Sequence, residues 1–125
     1  KPDDDGDDTK IDDLFDKIDR LMKERRIFAD SQISRKSVAE MIGINERALF
    51  DCIKNNTEKN FSDYITFLRL NYARELLAGR NEKLTMEAIA DEAGFGSRAS
   101  FYRLFKTNYG LSPDEFRKLT RIQMA

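Results

Sequence analysis

Residues 38–54 and 89–106 carry one pattern twice. Val38, Ala39, Gly43 and Ile44 match Ile89, Ala90, Gly94 and Phe95 at an offset of 51. Beyond the glycine the offset becomes 52, pairing Leu49, Ile53 and Lys54 with Phe101, Phe105 and Lys106, and then Tyr64 with Phe116. One extra residue in the second turn accounts for the change. Each copy has an alanine four residues before a glycine, an apolar residue directly after that glycine, and a second stretch of helical periodicity. Two helices that cross steeply through a short turn need a small residue where they touch and a glycine where the chain reverses. The apolar residue after the glycine plugs the space between them. Many helical hairpins show such a pattern once. Two copies in register, with a long helical stretch between, point to a pair of helix-turn-helix units.

The rest of the chain fits an all-α protein of about seven helices. No proline occurs between Pro2 and Pro113, and Gly43, Gly79, Gly94, Gly96 and Gly110 each fall where a helical pattern stops. No segment alternates long enough for a strand. The first helix is expected over 11–26, with Ile11, Leu14, Phe15, Ile18, Leu21 and Met22 on one face. Ser34 caps a second helix burying Val38, Ala39, Met41 and Ile42; Asn45 caps a third with Ala48, Leu49, Cys52 and Ile53 inward. A long linking helix follows Ser62, with Ile65, Leu68, Tyr72, Ala73, Leu76 and Leu77 inward, and ends at Gly79. Thr85 caps a fifth helix bearing Met86, Ile89, Ala90 and Ala93, and Ser97 a sixth bearing Phe101, Leu104 and Phe105. Ser112-Pro113-Asp114-Glu115 reads as cap, first-turn proline and capping-box Glu of a seventh, which buries Phe116, Leu119 and Ile122. The expected organisation is an acidic linker over 1–10, an extra N-terminal helix within 11–28, a first helix-turn-helix over 29–60, a linking helix over 61–80 and a second helix-turn-helix over 81–125.

Composition narrows the chemistry. The 125 residues contain no His and one cysteine, Cys52. His-based triads, His-containing zinc sites and internal disulfides are therefore closed. Ser100 and Asp91-Glu92 are available, but their spacing assembles no catalytic site, so no enzyme activity, metal or cofactor is expected. The net charge of −1 hides an asymmetry. Residues 1–30 hold 7 basic and 11 acidic side chains, net −4; residues 31–125 hold 15 and 12, net +3. The run Asp3, Asp4, Asp5, Asp7 and Asp8 reads as a solvated tether, and a first residue of Lys1 rather than Met suggests an upstream domain.

The second copy resembles the AraC/XylS family of bacterial transcription regulators. The resemblance rests on Ala88-Ile89-Ala90-Asp91-Glu92-Ala93-Gly94-Phe95-Gly96-Ser97, on Ser100-Phe101-Tyr102-Arg103-Leu104-Phe105-Lys106, and on Gly110-Leu111-Ser112-Pro113 with Phe116-Arg117. Phe61–Ile65 and Arg69–Leu77 are similar to the family's linker helix, and residues 11–28 to the extra helix that precedes this domain in some sensor-linked members. The first copy matches more loosely. The family usually has Arg where this chain has Asp51, so the first recognition helix is expected to contribute less.

The resemblance implies recognition helices over 46–55 and 98–108, entering successive major grooves that repeat at about 34 Å. Arg47, Phe50, Arg98, Ala99, Tyr102 and Arg103 would contact bases; Ser34, Arg35, Lys54, Thr85, Ser97 and Lys106 would contact the DNA backbone. Double-stranded DNA is the implied partner, with RNA polymerase, an upstream sensor domain and a homodimer as further ones. The implied location is the cytoplasm, with or without a tether to a membrane sensor. Plainer roles stand beside these. Arg103 could only pair a nearby carboxylate, Asp51 could pair Arg47 or Lys54, and Phe50 and Tyr102 could be partly packed. Cys52 reads as a small core residue. The Leu14–Met22 stripe could pack on the first motif or form a dimer. A protein-interaction module on the same scaffold, without strong DNA binding, is the competing function.

Overall fold

The computed structural model describes the backbone of residues 5–79 and 83–124, and the side chains of 13–79 and 83–122. Seven α-helices and one 3-10 turn make up the described secondary structure: α1 (Asp5–Arg25), the turn Ile27–Ala29, α2 (Arg35–Ile42), α3 (Glu46–Thr57), α4 (Phe61–Ala78), α5 (Met86–Ala93), α6 (Arg98–Tyr109) and α7 (Pro113–Met124). Two compact units divide the chain between Thr66 and Phe67, within α4.

The repeat seen in the sequence is a repeat of structure. α2 and α5 have 8 residues each, and α3 and α6 have 12. Ser34 and Thr85 accept from the N–H groups of Ser37 and Ala88, capping α2 and α5 at equivalent positions. Asn45 and Ser97 do the same for α3 and α6, through Ala48 and Ser100. Gly43 and Gly94 end the shorter helices in the left-handed region, at φ 86° and 98°. This lets Ile44 and Phe95 turn back and donate to the carbonyls of Ala39 and Ala90, at 3.0 and 2.9 Å.

In the first unit, α3 packs against both α1 and α2. Ile18, Met22, Val38, Leu49 and Ile53 are fully buried there. The start of α4 adds Tyr64, whose ring lies 6.0 Å from that of Phe15 and whose hydroxyl donates to Asp19 at 2.6 Å. The first helix thus packs on the first motif. Ile18 and Met22, at the centre of its apolar stripe, are buried within the one chain. In the second unit, α6 packs on α5 and α7. Its core gathers Leu70, Ala73, Leu77, Ile89, Ala90, Phe95, Phe101 and Phe105. Phe105 meets Phe116 edge-on at 5.6 Å, placing Phe116 where the first copy has Tyr64.

Several expectations need correction. Met41 is 53% exposed, because its equivalent in the second copy is the surface residue Glu92 and both positions face away from the core. Leu119 and Ile122 are also exposed, at 45% and 70%, whereas Phe116 is the residue of α7 that meets Phe105 of α6. Ile42, Tyr72, Leu76 and Leu104 are half-buried. α4 begins at Phe61 and is capped by Asn60, which accepts from the N–H of Asp63 at 2.8 Å. Helix is also present from Asp5, so part of the expected linker is helical; its acidic residues suit a helix N-terminus. Residues 1–4 and 80–82, with the expected boundary at 80–81, lie outside the described residues, as does the side chain of Ile11. Two helices end without glycine: Arg26 and Glu58 take left-handed conformations, at φ 51° and 62°.

Candidate nucleic-acid interface

The buried residues of each second helix set what its other face presents. On α3, burial of Leu49, Cys52 and Ile53 leaves Glu46, Arg47, Asp51 and Lys54 exposed and Phe50 half-buried. On α6, burial of Phe101 and Phe105 leaves Arg98, Ala99, Arg103 and Lys106 exposed and Tyr102 half-buried. The candidate residues of each copy therefore share the outer face of one helix.

The two faces differ in charge. Arg47 lies 3.3 Å from Asp51, one turn on, so that the base-contact candidate of α3 is neutralised within its own helix. Arg35 approaches Glu46 at 3.8 Å. Arg35, Glu46, Arg47 and Phe50 line an open depression of about 340 Å³. Lys54 Nζ reaches the carbonyl of Glu58 at 3.4 Å, beside the end of α3. Phe50 is partly packed, with its accessible edge in that depression. Cys52 is buried, and burial pushes its thiol up, as fits a core residue.

α6 carries more organised chemistry. Arg103 and Lys106 are exposed and form no salt bridge among the described residues. Arg98 is held from two directions. Its Nη1 lies 2.8 Å from Glu87 on α5, and its Nη2 donates to the Tyr102 hydroxyl at 3.2 Å. The guanidinium carbon stands 4.9 Å from the centre of the Tyr102 ring, in cation–π contact. Tyr102 donates in turn to Asp114 at the start of α7. Partial burial, and then the Asp114 hydrogen bond, push this phenol up. Ala99 is exposed and offers only a methyl group to this face.

Ser34, Thr85 and Ser97 hold the first turns of α2, α5 and α6 and are exposed. Each leaves the first two N–H groups of its helix without an intrahelical partner, an arrangement that favours anionic oxygens. The seventh helix is fixed by the expected capping box: Ser112 N–H donates to Glu115 at 2.9 Å, and Glu115 N–H donates to Ser112 Oγ at 3.1 Å. The Ser112 bonds hold the Glu115 carboxyl below its usual range. Arg117, quoted in the C-terminal signature, donates to the carbonyl of Leu84 at 2.9 Å and so has a structural duty.

Glu87 and Asp114 were not anticipated. Arg98 and Tyr102 are four residues apart on one helix, so their contact was visible in the spacing. The carboxylates come from neighbouring helices and depend on packing that no local pattern announces. No metal-binding cluster is present among the described residues, and no described helix is long and apolar enough to cross a membrane.

Comparison with known proteins places this geometry. Residues 38–119 match the protein family described as "Helix-turn-helix domain". The chain is 34% identical over 104 residues to the uncharacterized transcriptional regulatory protein YesN of Bacillus subtilis, covering 78% of this chain and 28% of that protein. It is 30% identical over 92 residues to the melibiose operon regulatory protein of Escherichia coli K12, covering 74% and 30%. The chain thus spans less than a third of the length of either relative. The solved C-terminal domain of the two-component response regulator yesN from Fusobacterium nucleatum has a TM-score of 0.72 and 26% identity, over 84% of this chain and 98% of that one.

Proposed function

Since the chain belongs to the AraC/XylS-type helix-turn-helix family, we propose that it binds duplex DNA sequence-specifically and thereby regulates transcription, with α6 as its principal reader. One observation carries the assignment of roles. Arg103 on α6 is exposed and in no salt bridge among the described residues, whereas Arg47 on α3 is neutralised by Asp51. A free guanidinium on a groove-facing helix can donate two bonds to a guanine edge, and one that shares its donors with a carboxylate gains less affinity there, as Arg98 beside Glu87 also does. Arg98 and Tyr102 add a second reading group on α6, and α3 offers Arg47, Phe50 and a thymine-methyl contact. Ser34, Thr85 and Ser97 would set register on phosphates through helix N-termini, with Arg35, Lys54 and Lys106 adding charge.

The same reading concerns partners. The relatives are more than three times as long as the matched region, and one similar structure is the C-terminal domain of a two-component response regulator. An upstream sensor domain joined through the N-terminal segment, RNA polymerase as the partner at a promoter, and a cytoplasmic location follow as parts of the proposal. Selection of bound sequences from random duplex DNA tests it. The expected result is one enriched asymmetric motif, because the two reading faces differ in every base-contacting residue. Equal binding of all duplexes, or none, overturns the proposal and returns the scaffold to protein interaction.

A further inference from the structure

We propose that Glu87 and Asp114 are positioning residues for sequence discrimination, holding Arg98 and Tyr102 on α6 as one stacked, hydrogen-bonded reading unit. This rests on the DNA-binding role above. The four side chains form a continuous chain across three helices: Glu87 on α5 to Arg98, Arg98 to Tyr102 on the same face of α6, and Tyr102 to Asp114 on α7. The guanidinium lies over the phenol ring, 4.9 Å from its centre. Each reader is therefore gripped by the other and by a carboxylate from a flanking helix.

The first copy shows that the fold does not require this network. At the equivalent positions it has Lys36 for Glu87, Glu46 for Arg98, Phe50 for Tyr102 and Ser62 for Asp114. None of the four is retained, yet α2 and α3 form the same hairpin with the same caps and the same glycine turn. Nor is the Arg98–Glu87 pair there for stability, since both side chains are solvent-exposed and such pairs contribute little. Two carboxylates beside a surface meant for phosphates also oppose binding to any DNA. What they supply is fixed geometry. An unrestrained arginine can follow several bases with its flexible stem. A stacked one, with two of its donors already directed, presents the remaining donors in one orientation and rejects edges that do not match. Glu87 and Asp114 thus trade general affinity for discrimination.

The test uses this chain, the duplex selected above, its single-base-pair variants and a mixed-sequence duplex. Arg98→Ala first marks the base pairs whose discrimination depends on the unit. Glu87→Ala and Asp114→Ala should bind the mixed duplex more tightly, each having one negative charge fewer. Discrimination at the marked base pairs should fall about tenfold, the scale of one well-placed base contact. Glu87→Gln and Asp114→Asn keep an acceptor oxygen, so they should share the gain in general affinity but hold discrimination within about twofold. Discrimination at the base pair lost in Arg103→Ala should stay unchanged throughout. If the alanine variants shift affinity for all duplexes by one common factor, the carboxylates act as charge alone and this proposal fails. If the wild-type chain does not discriminate among duplexes, the DNA-reading role fails with it.

Discussion

Arg47 and Asp51, one turn apart on α3, close to 3.3 Å, while Arg103, at the position equivalent to Asp51, is exposed and in no salt bridge among the described residues. The two copies share a backbone and differ in which charge they show. Asp51→Ala removes a negative charge and frees Arg47. Binding to the selected duplex should be unchanged or tighter, and the melting temperature nearly constant, because an exposed pair of this kind is worth less than about 1 kcal/mol. Fluorescence titration of labelled duplex checks it. Weakening on the scale expected for Arg103→Ala would mean that Asp51 itself makes a productive contact.

Ile18→Ala should destabilise the first unit by about 2–5 kcal/mol, since the side chain is fully buried between α1 and the motif it covers. Urea denaturation followed by circular dichroism measures the loss. The shift should not depend on protein concentration, because the packing is within one chain. A concentration-dependent midpoint in the wild type would place this face in a dimer instead.

Tyr64→Phe removes the 2.6 Å hydrogen bond to Asp19 and should cost about 1.5 kcal/mol, within the range for a bond to a charged group. It should also alter the alkaline limb of stability. Burial, and after it the hydrogen bond and charge of Asp19, hold the Tyr64 phenol well above its ordinary value. The folded chain then keeps a proton that the unfolded chain gives up near pH 10. This contribution is complete below about pH 10 and is lost as pH rises further. Denaturation at pH 9 and 11 should show a smaller alkaline loss in Tyr64→Phe than in the wild type. Equal losses would count against a buried, protonated Tyr64.

Gly43→Ala tests the turn. A Cβ there would meet nothing within 4 Å, so any cost comes from the φ of 86° alone. A destabilisation of about 1–2 kcal/mol is expected, with Gly43→Asn costing less because Asn tolerates the left-handed region better. A neutral Gly43→Ala would show that the turn relaxes to another conformation.

What could be read from the sequence was whatever repeats locally. The caps at Ser34, Asn45, Thr85 and Ser97, the turns at Gly43 and Gly94, and the burial of Leu49, Ile53, Phe101 and Phe105 all depend on spacing within a few residues. The Asn60 cap of α4 was legible through the same repeat, since Asn60 and Asp63 occupy the places of Ser112 and Glu115 in the second copy. The exposure of Met41 was legible in the same way, through its charged equivalent Glu92. The non-glycine helix ends at Arg26 and Glu58 were not legible, because either residue type usually avoids positive φ. In the candidate interface, the Arg47–Asp51 pair followed from spacing on one helix. The Glu87 and Asp114 contacts did not, since they depend on how α5 and α7 pack against α6.

The most direct test of α6 as principal reader is the affinity of the wild type, Arg103→Ala and Arg47→Ala for the selected duplex and its single-base-pair variants. Arg103→Ala should lose about 1–3 kcal/mol on the selected duplex and become indifferent at one base pair. Arg47→Ala should lose less and relax the preference at its own base pair less, because that guanidinium already shares its donors with Asp51. If Arg103→Ala retains wild-type affinity and preferences, or if Arg47→Ala loses as much, α6 is not the principal reader.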